Sequence, residues 1–321
     1  MAFPNISDIL ATTIESRSKQ VADNVTNNNA LLSRLKGKGK IKTFSGGHKI
    51  LQELSFAENS NVGWYSGYDI LPTNASDVIS AAEFDIKQAA APCVISGLEM
   101  LKNSGKEQMI DLLESRMQVA EKTLSNLING GLYSNGSAAG GKQIDGLAAM
   151  VPIAQTGTYG GIDRTAYTFW NNQVNDQSGT LTQTMMNNLW ATQVRGQDRP
   201  DLILMDPTAW QDYLNSLQTL QRFSGTNEAN LGFPSIKFMD ADVVLDGGIY
   251  SGNVVEGVPV GTAFFLNTEY LHYRPHANRN MVPLSPNRRY ATNQDAEVQI
   301  MAWAGNLTCS GVQFQGRLDI N

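Results

Sequence analysis

Histidine and cysteine are almost missing from this chain, with three and two residues in 321. His48, His272, His276, Cys93 and Cys309 leave little material for a histidine-dependent triad, a thiol nucleophile or a Cys/His metal cage. Charge is scarce too, at 17% of residues where soluble domains usually carry roughly 25%. No apolar run reaches the roughly 20 residues that span a bilayer; the nearest, Ala89 to Ile95, is broken by Pro92. The start lacks a basic segment followed by an apolar core, so nothing marks export. Cys93 and Cys309, 216 positions apart, are therefore expected as buried thiols rather than a bridge. The Asn-x-Ser/Thr triplets at Asn5, Asn24, Asn74, Asn135 and Asn306 imply no glycans in that setting.

Asparagine is plentiful instead, with 28 residues, and its amides hydrate a surface without raising a strong field. The net charge is −6 and divides unevenly. Residues 1–42 hold seven bases and three acids, a balance of +4 that leaves −10 for the remainder. Arg34, Lys36, Lys38, Lys40 and Lys42 stand at every second position among glycines. Such a run can meet phosphate, yet it has no interleaved aromatics for base stacking, and a solvated hinge is the plainer expectation.

The length allows one large domain or two ordinary ones. Sparse apolar residues from Ile9 to Leu35 predict an N-terminal helix that docks on something else. Residues 41–71 read as an extended two-armed ribbon turning near Glu58–Asn61, with Trp64, Tyr65 and Tyr68 in its second arm. A lone ribbon is marginal in water, so those aromatics need a partner surface. Ser104-Gly105-Lys106-Glu107 fits a capping box for a long helix whose apolar face is Met109, Leu113, Met117, Leu124 and Ile128, with Gly130-Gly131 as its stop. A helix opened by Thr180 follows, then a short strand at 201–205 and a helix capped by Asp206 and Pro207; strands fill the rest. The order predicts an α+β chain without a βαβαβ run.

Candidate chemistry is thin. Residues 136–142 match the start of a phosphate-binding loop, but Gln143 stands where Ser or Thr would hold magnesium, and no strand precedes it. His272 and His276 are four apart with Pro275 between and no third ligand nearby. Asp240, Asp242 and Asp246 belong to a strand and an expected hairpin turn at Asp246-Gly247-Gly248. No catalytic, cofactor-binding or metal-ligating set is assigned, and no cofactor is expected.

Read in order, the pattern resembles the major capsid proteins of tailed bacteriophages. The most specific segments are Gly160-Gly161-Ile162-Asp163-Arg164 through Trp170, Pro200-Asp201-Leu202-Ile203, and Gly261-Thr262-Ala263-Phe264 through Leu271. The resemblance implies the Hong Kong 97 (HK97-like) capsid fold: an N-terminal arm at 1–42, an E-loop at 43–77, a P domain from 78–155 plus 292–321 with a long spine helix, and an A domain at 156–291. It implies a virion protein assembled in the bacterial host cytoplasm. Its copies would form pentamers and hexamers in an icosahedral shell around double-stranded DNA bound without sequence preference, with a separate scaffolding protein, a portal and no membrane. Expected contacts between subunits are Trp64, Tyr65, Tyr68, Lys42, Lys49, Arg274, Arg279, Arg288 and Arg289. An encapsulin compartment, and a soluble enzyme with a glycine-rich loop at 136–146, are the alternatives.

Overall fold

A computed structural model describes residues 29–76, 78–102, 106–218, 235–250, 253–255, 257–284, 289–290 and 296–320. The expected Ser104 cap, Arg288 and most of the N-terminal helix lie outside these residues.

Strand β16 (Ala296–Cys309) is a rail of 14 residues, about 45 Å at 3.3 Å per residue. Along one edge it pairs antiparallel with β3 (Lys87–Ser96), from Ala296 opposite Ser96 to Gly305 opposite Lys87. Along the other edge lie β13 (Leu271–Pro275), β14 (Val282–Pro283) and β15 (Arg289–Tyr290) in succession. The long helix Lys106–Tyr133 packs across β3, burying Met117, Leu124, Ile128 and Leu132, which recur at helical spacing. At 1.5 Å per residue its 28 residues run about 42 Å, so helix and rail have matching lengths.

This helix passes through Gly130 and Gly131 rather than stopping there. Glycine at 131 answers a close approach: a Cβ there would lie 3.2 Å from Ile144 Cδ1, and one on Gly146 would lie 2.4 Å from the Gly131 carbonyl. The glycines thus admit the segment around 144–146 against the helix. Asn306 locks the same region: its buried side-chain amide donates to the Asp85 carbonyl at 2.9 Å and to Asp145 at 2.8 Å, and its oxygen accepts the Asp145 N–H.

The second sheet has six strands in the order β6 (Gln173–Asp176), β17 (Gly316–Asp319), β12 (Thr262–Leu266), β7 (Leu202–Met205), β9 (Ala241–Leu245) and β8 (Ser235–Phe238). Its central strands are buried on both faces, which is why they read as unbroken apolar runs. Ile203, Met205, Ala263 and Phe265 face a core closed by the helices Gln183–Gln193 and Pro207–Gln218. Leu202, Leu204, Phe264 and Leu266 face the opposite way, into the core shared with the first sheet. Asp206 caps the second of these helices through the Thr208 and Ala209 amides, whereas Thr182, not Thr180, caps the first.

Strands from distant segments of the chain share each sheet. β17 belongs to the six-stranded sheet and β13 pairs with β16. The chain changes sheets at 310–315, where Tyr270 and Phe314 stack at 4.5 Å and the Gln315 amide bonds both the N–H and the carbonyl of Asn267. Asp246–Gly248 is also no hairpin turn joining neighbouring strands, because β10 (Gly248–Tyr250) pairs with β11 (Asn253–Val255) instead of β9. Both cysteines are buried and unbridged.

Candidate assembly surface

The ribbon is built from β1 (Ile50–Ser55) and β2 (Ile79–Phe84), in register from Ile50 opposite Phe84 to Ser55 opposite Ile79. Its second arm is therefore 79–84, not 62–71. Alternation explains the register: Ile50, Gln52 and Leu54 turn inward with Ala82 and Phe84. Residues 41–44 are not part of the ribbon. They run parallel to β13, with the Lys42 N–H donating to the Tyr273 carbonyl at 3.0 Å and the Phe44 ring edge-on to His276.

Between the arms lies a tip that buries almost nothing. Trp64 and Tyr68 are each 104% exposed and Ile70 96%, with Val62, Tyr65 and Leu71 exposed beside them. Local polar bonds shape it: Asn59 accepts from the Asn61 N–H at 3.0 Å, Asp69 accepts from the Ser66 N–H at 2.7 Å, and the Asn61 amide reaches the Asn74 carbonyl. Residues 56–78 hold three acids and no base. The tip is thus an acidic apolar surface that none of the described residues covers. A second apolar surface runs between β3 and the long helix. It is a groove of about 460 Å³ lined by Ala90, Pro92, Val94, Val119, Thr123 and Leu127.

The other expected contact residues scatter. Lys49 pairs with Glu83 across the ribbon base at 2.7 Å, a bond that holds the lysine above and the carboxyl below their ordinary pKa. Arg274 is half-buried and donates to Gln52 Oε1 at 2.9 Å, so it braces the ribbon base from within. Burial lowers its pKa. Arg279 is exposed and donates to Gln88 at 3.1 Å. Arg289 is placed in β15.

The basic run is not a solvated hinge. The helix Ala30–Gly37, capped by Asn29 through the Leu32 N–H, packs against β13, with Leu31, Leu32 and Leu35 fully buried in the core shared by the two sheets. Arg34 meets Asp201 and Asp242, each at 3.3 Å, Lys38 meets Asp201 at 2.9 Å, and Lys40 pairs with Glu269. Asp201 also accepts the Thr268 N–H at 2.7 Å and its hydroxyl at 2.8 Å. Burial works to raise the Asp201 pKa, but the bonds from Lys38 and Thr268 outweigh it and hold the carboxyl below 3.8. Asp246 accepts from Ala30 and from the Tyr133 hydroxyl, joining arm, long helix and sheet; burial raises its pKa.

These opposite shifts give a pH test. With a folded pKa below the unfolded value, Asp201 contributes stability that is complete above about pH 5 and lost as pH falls through 3.8 toward the folded value. Asp246, shifted upward, contributes in the reverse sense as acid is added. Denaturant unfolding of Asp201→Asn across this range should therefore show less acid loss than wild type, and an unchanged acid slope would contradict the pairing.

The remaining chemical candidates serve structure. Asp240 pairs with Arg199 at 2.6 Å. The glycine-rich loop offers its Gly141 carbonyl to Lys87 at 2.7 Å, an acceptor where a phosphate cradle would need donors. His272 is buried, and desolvation with the charges of Lys42 and Arg274 pushes its pKa down to about 4, which keeps it neutral. Among the described residues no three His, Cys, Asp or Glu are grouped to hold a metal, and no helix is long and apolar enough to cross a membrane.

No family model and no curated protein matches the chain. Solved structures do. The capsid asymmetric unit of Cyanophage A-1(L) superimposes with a TM-score of 0.66 at 16% identity, over 88% of this chain and 90% of that one. The capsid of a native GTA particle gives 0.56 at 10% identity over 88% and 89%. A structure from Mycobacterium phage Bobi gives 0.53 at 9% identity over 88% and 89%. The chain therefore has the HK97-type capsid fold.

Proposed function

We propose that this chain is a shell subunit: the major capsid protein of a tailed bacteriophage, whose copies form pentamers and hexamers around packaged double-stranded DNA in the virion. The observation that carries this reading is the uncovered tip, with Trp64 and Tyr68 fully exposed at the end of a ribbon on a capsid fold. Monomers rarely present so much contiguous apolar surface without a use for it. A tip and a groove on the same molecule suit head-to-tail contacts that close around rotational axes, and one subunit type can then build a ring. The basic run of the arm is engaged with the chain's own acids, which favours a shell that encloses DNA over a protein that grips it. A scaffolding protein and a portal would be the partners in assembly.

Negative-stain microscopy of the expressed protein is the direct test. Uniform shells or capsomers are expected, and a 35 kDa monomer persisting at high concentration would refute the reading. Shells that hold an enzyme cargo in place of DNA would assign the chain to a protein compartment.

A further inference from the structure

We propose that the block from Tyr159 to Trp170 is the seat that fixes the angle at which the ribbon leaves the body, with Gly160 as its positioning residue. The inference rests on the shell reading for its consequence, and on geometry alone for the seat itself. The strands β4 (Thr158–Tyr159) and β5 (Ile162–Asp163) form a hairpin whose two-residue turn, Gly160-Gly161, has φ of +59° and +76°. Two left-handed residues match the twist of a tight hairpin, and glycine adopts them without strain. The turn presses on the ribbon base: the Gly160 carbonyl accepts the Glu83 N–H at 2.9 Å. A Cβ at 160 would lie 2.9 Å from Phe84 Cζ and 3.0 Å from Ala82 Cβ.

The aromatics of the block complete the seat. Phe84 meets Tyr159 edge-on at 5.2 Å, Tyr159 stacks on Trp170 at 6.2 Å, and Phe56 stacks on Phe169 at 5.5 Å, so both ribbon arms are held. The Trp170 indole donates to the Tyr159 carbonyl at 2.9 Å. Arg164 lies beneath, 5.3 Å from the Tyr159 ring centroid, and donates to the carbonyls of Ala149 and Met150 at 3.1 and 2.6 Å. The seat thereby stands on the end of the helix Leu147–Met150.

Leverage makes the angle matter. Six strand residues reach about 20 Å, so a rotation of roughly 10° at the base carries the far end about 3.5 Å, enough to lift a ring out of van der Waals contact. In a closed shell the same error recurs at every equivalent contact.

Gly161 supplies a matched control. It is equally left-handed, but a Cβ there would meet Glu83 alone, its Cβ at 3.7 Å and its carbonyl oxygen at 4.0 Å, which are ordinary contacts. Gly161→Ala thus carries the backbone strain alone, and Gly160→Ala carries the strain plus the collision with the ribbon. In unassembled subunits, hydrogen exchange at Glu83 and along β1 and β2 should accelerate in Gly160→Ala and hold near wild type in Gly161→Ala, with Leu202–Met205 unchanged in both. Closed shells should be lost in the first and kept in the second. Phe84→Leu, which withdraws the ring without touching the turn, should raise the same exchange and keeps the test alive if Gly160→Ala fails to fold. Equal exchange and equal shell yield in the two glycine variants would overturn the seat, as would unchanged exchange in Phe84→Leu. Absence of shells from the wild type would refute the shell reading instead, leaving the exchange comparison to decide the seat.

Discussion

Replacing Trp64 and Tyr65 together with alanine is expected to abolish shells while leaving the subunit folded. In the isolated chain Trp64 touches almost nothing and Tyr65 is largely exposed, so their removal takes no core packing away. Exposed substitutions of this kind change stability by about 0.5 kcal/mol or less. On a neighbour each ring would bury on the order of 200 Å², about 5 kcal/mol at 25 cal/mol per Å² before the cost of ordering the tip. Losing both removes the main apolar anchor of the contact, and a shell multiplies that loss over every copy. Particle counts by microscopy and a thermal melt of the subunit check the two halves separately. Shells at wild-type yield would show that the tip is not the interface.

Asp201→Ala should produce the largest loss in the subunit itself, about 2–3 kcal/mol. The side chain answers Arg34, Lys38, the Thr268 N–H and the Thr268 hydroxyl at once, so its removal strands several donors. A fully buried ion pair broken on one side costs about 3–5 kcal/mol, and partial exposure of Asp201, Arg34 and Lys38, at 19%, 23% and 33%, reduces that figure. Asp201→Asn keeps an oxygen for Thr268 and should lose about half as much. Denaturant unfolding measures the difference. Trypsin gives a local readout, since a released arm exposes Arg34, Lys36, Lys38 and Lys40 to cleavage. Equal resistance of wild type and Asp201→Ala would mean that the helix is held by Leu31, Leu32 and Leu35 alone.

Much of the fold was legible in local pattern. The long helix, the strand at 202–205 and the Asp206 cap follow from periodicity and capping chemistry, which act within a few residues. The crowding of Trp64, Tyr65 and Tyr68 in an otherwise polar stretch was legible too, although the sequence placed them in the ribbon's second arm and the structure puts them between the arms. The partner of β1 was misplaced: alternating residues fit more than one neighbour, and the pairing with 79–84 is the one that brings Phe84 onto Tyr159. Gly130 and Gly131 looked like a stop because glycine ends helices, yet here it also clears space for a neighbour that local pattern does not reveal. The arm's charges could be counted, but nothing in their spacing named Asp201 and Asp242 as their partners.

By itself, then, the sequence determined the scarcity of catalytic and metal-binding side chains, the order of helices and strands, and the presence of an aromatic surface in need of cover. Those properties depend on composition and on periods of two and 3.6 residues, which any short stretch carries within itself. The tertiary structure decided that the basic run is a latch, that Arg274 faces inward, and that the Gly160–Trp170 segment holds the ribbon. Each of these depends on groups far apart in the chain, 167 residues in the case of Arg34 and Asp201, and such partners are chosen by the closing of the core.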